Sequence, residues 1–143
     1  MLGREEIAKR LPHAGRMVLL DRVLDWDERG IRCGTRTHLD TANPLREAAG
    51  LPVWASIEYC AQAAALHGAL LRGDSQPRRG VLATVRNVEA MCERLDGIEG
   101  ELVMHATLVH ADPAGAIYDF QVRAAERVLL LGRSTLMFLK DGA

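Results

Sequence analysis

Glu58 and Gln62 stand one helical turn apart in a nearly apolar segment, LPVWASIEYCAQAAALHGALLR (Leu51 to Arg72). Residues at that spacing share one side of a helix. A carboxylate is a ready general acid or base, and enclosing it ionised without a partner is costly. Glu58 must therefore be paired, protonated or in use. Gln62, with an amide that both donates and accepts, is better suited to support than to reaction. A proton relay needs a second group, and His38 is the sequence candidate. It lies five residues before Asn43 and equally suits a solvent-facing strand position. His13, after Pro12, reads as structural, and His67, His105 and His110 as satisfied helix or strand residues. Nothing in their spacing makes a metal site. Trp54 is a pocket wall or core residue, and the backbone around Val53 to Ser56 offers donors at a helix start.

These groups need a frame. Pro52 sits where a first helical turn tolerates proline, and Ala61, Ala63, Ala64, Ala65 and Ala69 let another backbone come close. A helix apolar nearly all round belongs inside a fold. Before it, Gly3 to Arg10 reads as a short helix ended by Pro12. Met17 to Trp26 and Ile31 to Leu39 read as paired strands, and Asp40 to Gly50 as a loop. After it come a polar connection, Gly73 to Arg79, and strands at Val81 to Val88, Glu101 to His110, Ile117 to Ala125 and Arg127 to Leu139. Helix, two strands, long helix, four strands, with hairpin turns and no βαβ alternation, imply α+β: one curved antiparallel sheet wrapped on the helix.

The bulk numbers agree with one domain over 1–143. At 48% hydrophobic and 26% charged residues the composition is that of a soluble globular protein. A net charge of -1 gives no footing for nucleic acid or an anionic membrane. No stretch reaches the ~18 apolar residues of a membrane span, and the charged start MLGREEIAKR is unlike a signal peptide. Cys33, Cys60 and Cys92 are odd in number and scattered, which fits a reducing cytoplasm. Arg78, Arg79 and Arg86 could meet an anionic group, although a solvated cluster is the simpler reading.

Three ordered segments carry a resemblance. EEIAKRLPHAGRMVLLDRV is similar to the opening of bacterial 3-hydroxyacyl-[acyl-carrier-protein] dehydratases, matching at Ile7, Leu11 to His13 and Leu19 to Val23. IEYCAQAAA resembles their "EAMAQ" helix at Glu58, Ala61 and Gln62, and LGRSTLMFL their closing strand. The resemblance implies the hotdog fold. One departure stands out. Those enzymes carry a "GHFPGxPxxPG" loop whose His lies fourteen residues before the helix Glu, and that position is Pro44 in this chain. The loop NPLREAAGLPVW is closer to a divergent hotdog dehydratase branch associated with aryl polyene-type pathways.

What the resemblance implies is elimination of water from a 3-hydroxyacyl thioester on a carrier protein or coenzyme A, in fatty acid or polyene synthesis. Such a reaction needs a base at C2 and an acid at the C3 hydroxyl, with the thioester carbonyl polarised by helix-start donors. Glu58 fills the family's Glu role. His38 fills the His role if its loop folds back, and otherwise Glu58 works alone with a water. Trp54, Ser56 and Gln62 are the expected substrate-side residues, and no metal, nucleotide or flavin is required. A thioester hydrolase on the same fold and a non-catalytic partner subunit of a heteromeric dehydratase are the alternatives. A hotdog subunit leaves a strand edge open, so a homodimer, a higher oligomer or a heterodimer with a homologous dehydratase is expected.

Overall fold

The computed structural model describes residues 2–73 and 80–138. Its elements are α1 (Arg4–Arg10), β1 (Arg22–Trp26), β2 (Gly30–Thr35), α2 (Ser56–Arg72), β3 (Gly80–Ala90), β4 (Leu102–Asp112), β5 (Gly115–Ala124) and β6 (Arg127–Phe138). The six strands form one sheet in the order β1-β2-β4-β5-β6-β3. Every neighbouring pair is antiparallel. Period-two burial explains how the sheet holds its helix: Leu102, Met104 and Ala106 of β4 point inward, as do Ala116, Tyr118, Phe120 and Val122 of β5. Bulges interrupt four of the five pairings, giving the added twist and bend that let a sheet curl.

α2 lies in this curve and buries Tyr59, Cys60, Ala63, Ala64, Leu66 and Ala69. Its entry is a 3-10 turn at Val53–Ala55. Its exit is Gly73, at φ 71, whose N–H bonds back to Leu70. Only glycine takes that left-handed turn without strain. The helix is not enclosed on every side. Glu58, Ala61, Ala65, Gly68 and Arg72 form a stripe that is only partly buried. The expected all-round burial is thus corrected to burial on all faces but one.

Two expected strand ends also move. Met17 to Asp21 is not part of β1: side chains take up the backbone at Met17 and Leu19, and bonding to the neighbouring strand starts only where Asp21 N–H donates to the Gly34 carbonyl of β2. Gln62 Nε2 donates to the Met17 carbonyl (2.6 Å), and its Oε1 accepts from Leu19 N–H (2.9 Å). Thr35 and Thr37 hydroxyls both donate to the Leu19 carbonyl. β2 stops at Thr35 because the chain tightens into a 3-10 turn, Thr37–Leu39. β3 pairs only with β6, and its outer edge has no strand beside it among the described residues. Cys33, Cys60 and Cys92 are all free thiols. No helix among the described residues is long and apolar enough to cross a membrane.

Candidate functional site

Pro12 ends α1 and turns the chain so that His13 reaches the open stripe of α2. There His13 Nε2 lies 3.1 Å from Glu58 Oε1. The two side chains are 27% and 34% exposed, so the carboxylate sits at a half-open mouth rather than in a dry core. Its anomaly is resolved by partnering. The other ring nitrogen, His13 Nδ1, is buried and has no hydrogen-bond partner among the described residues. Both side chains line a cavity of about 110 Å³. Ala61 and Ala65 of α2, Leu82 of β3 and Leu136 of β6 give it mainly apolar walls. A carboxylate–imidazole pair at the head of an apolar groove can exchange protons with a substrate whose tail lies in that groove.

His38 is not brought to Glu58. It is wholly buried in the turn after β2, and its Nε2 donates to the Ile98 carbonyl at 2.8 Å. Burial pushes its pKa down, partly offset by that bond. It does not line the cavity that Glu58 lines. The physical reason is the pair of threonines: once Thr35 and Thr37 are tied to Leu19, the turn directs the imidazole inward. The loop after it is fixed in turn by Asn43, whose amide donates to the Thr37 carbonyl and to the Tyr59 hydroxyl.

The substrate-side expectations divide. Gln62 lines the cavity, yet both ends of its amide are bonded to the Met17–Leu19 backbone. Ser56 is buried, and its hydroxyl donates to the Val53 carbonyl at 2.6 Å. Val53, Ala55 and Ser56 N–H groups also have intramolecular acceptors, so these donors are not left for a thioester carbonyl in this chain. Trp54 is 54% exposed and outside the cavity wall. Arg86 is exposed on β3, whereas Arg78 and Arg79 lie outside the described residues. Among the described residues no three His, Cys, Asp or Glu side chains converge as a metal site. The residue that the fold brings to Glu58, and that the sequence marks only as structural, is His13. Its signal was the LPH motif itself, which fixed a histidine just after the break in α1.

A rolled antiparallel sheet around one long helix defines a hotdog-fold protein, and solved structures share the architecture. The dehydratase heterocomplex ApeI:P from Xenorhabdus doucetiae superposes at a TM-score of 0.83, with 22% identity over 99% of this chain and 93% of that chain. A mutant thioesterase, SAV0944 of Staphylococcus aureus, gives 0.60 at 15% identity over 82% and 92%. A hypothetical thioesterase from Streptococcus pneumoniae, solved with coenzyme A, gives 0.58 at 14% identity over 82% and 84%. No curated protein sequence matches. Residues 5–140 match the ApeP-like family profile, described as ApeP dehydratase. The chain belongs to that family of dehydratases.

Proposed function

We propose that this chain acts on 3-hydroxyacyl thioesters, carried on a carrier protein or coenzyme A, and removes water to give the 2-enoyl thioester. The observation that carries the reading is the Glu58–His13 pair at the head of an apolar groove. The Glu58 carboxylate takes the proton from C2. The C2–H electron pair becomes the C2=C3 double bond as the C3–O bond breaks. The proton then passes to the departing hydroxyl, which leaves as water. His13, facing Glu58 through Nε2, holds the carboxylate and shares its proton. Family membership supports the reaction class. The test is conversion of a 3-hydroxyacyl-pantetheine thioester by the wild type and by Glu58→Gln. Loss of one water with the thioester intact is the expected product, and loss of turnover in the variant is the expected effect. Release of free thiol instead would establish the hydrolase alternative.

A second reading has its own support: the chain works as one subunit of a heteromeric dehydratase. Pro44 stands where the resemblance places the loop His. Gly80 and Val81, at the open edge of β3, form part of the cavity wall, so a strand added there from another chain comes to the site. A structural relative is itself a dehydratase heterocomplex. Mixing the protein with a homologue that carries the loop His is expected to give a 1:1 complex with faster dehydration than either chain alone. Two homodimers that stay separate and add their rates linearly would discard it.

A further inference from the structure

We propose that Arg72 and Phe138 form a movable stop in the groove that sorts acyl chains by length. The inference rests on reading the Glu58 groove as an acyl-thioester site. Further along α2 lies a second cavity, of about 170 Å³, with Gly68, Leu71, Leu108 and Tyr118 in its wall. Arg72 and Phe138 line both cavities. They are the partition. The Arg72 guanidinium carbon stands 5.5 Å from the centre of the Phe138 ring, in cation–π contact. Side chains on a helix lean toward its N-terminus, and Gly68 is what allows this one to lie back. A Cβ added at Gly68 would come within 3.2 Å of Arg72 Nη1.

The groove floor is therefore the small side chains Ala61 and Ala65, closed by a cation. From Glu58 to Ala65 the helix rises about 10 Å, at about 1.5 Å per residue. An extended alkyl chain advances about 1.3 Å per carbon, given C–C bonds of about 1.5 Å. Chains of up to about eight carbons thus end short of the stop. Longer ones enter the second cavity only by swinging the guanidinium off the ring. Arginine has the length and rotatable stem to make that movement, and it gives up the ring contact in doing so.

The test is calorimetric binding of non-hydrolysable acyl-pantetheine amides with chains of roughly 6, 10, 14 and 18 carbons, a series spanning that reach. Wild-type affinity is expected to rise with length and then break beyond about eight carbons. Arg72→Ala is expected to bind the longest chains about tenfold more tightly while leaving the shortest unchanged. Arg72→Met, which keeps the length and removes the charge, is expected to fall between. An Arg72→Ala length profile superimposable on the wild type overturns the stop while leaving the acyl site standing. Failure of every chain length to bind would overturn the acyl-site reading, and the stop with it.

Discussion

α2 carries a histidine partnership on each side, and the two differ in what they leave undone. On the inner side, His67 is wholly buried. It accepts from the Tyr118 hydroxyl at Nδ1 (2.6 Å) and donates from Nε2 to the Asp27 carbonyl (2.7 Å). Both ring nitrogens are used, and the ring meets Tyr118 edge-on. Burial lowers the pKa of His67 and raises that of Tyr118, so both stay neutral. On the outer side, His13 and Glu58 are half-exposed, face a cavity, and leave His13 Nδ1 without a partner among the described residues. A polar group whose valences are all filled by its own chain is architecture. A pair that lines a cavity is the better candidate for meeting a substrate, as the proposed function requires.

The contrast breaks most sharply at Glu58. Glu58→Gln is expected to lower dehydration about 10²- to 10⁴-fold, the usual worth of a positioned acid–base group. Its urea midpoint should stay near the wild-type value, because the site is half open. An equal loss of stability would make Glu58 a structural residue. Gln62→Leu addresses a group that lines the cavity yet is fully occupied. It strands the Met17 carbonyl and the Leu19 N–H, and about 2–4 kcal/mol of stability should go with them. Chemical denaturation measures it.

His67→Phe is expected to cost about 2 kcal/mol by leaving the Asp27 carbonyl and Tyr118 hydroxyl unpaired, with turnover per folded molecule unchanged. A selective fall in turnover would erase the distinction between the two sides. The same histidine fixes a pH dependence. Its folded pKa lies below the unfolded value, so the unfolded chain takes up the proton first as pH falls. Its share of stability is full above the unfolded pKa of about 6.5 and declines below it. His38 and His105 are also lowered by burial and act in the same direction. The denaturation midpoint should therefore drop as the pH falls below about 6.5, less steeply in His67→Phe. The smallest effect belongs to Ser56→Ala: about 1 kcal/mol of stability, for one hydroxyl bonded to Val53.

Much of the fold was legible. Alternation along Glu101 to His110 and Ile117 to Ala125 gave β4 and β5 within a few residues, since a half-buried strand must repeat at two. The apolar run to Arg72 gave α2 and its end. Composition overextends the first strand because side-chain partners are invisible to periodicity: Met17 to Leu19 has strand composition but is bonded by Gln62, Thr35 and Thr37. The site was half legible. Glu58 stood out as a charge in apolar company, and that signal is local. His13, 45 positions away, became its partner only through the fold. His38, nearer to Glu58 along the chain, was turned toward Ile98 instead.

The sequence by itself determined the kinds and order of the elements and the presence of one acid on the central helix. Hydrophobic period and turn chemistry act over a few residues and can be read there. Tertiary structure decided which histidine meets that acid, which face of α2 stays open, and that Arg72 stands over the Phe138 ring beside the same cavity. Those are contacts between residues far apart in the chain, and their geometry exists only after the sheet has curled around the helix.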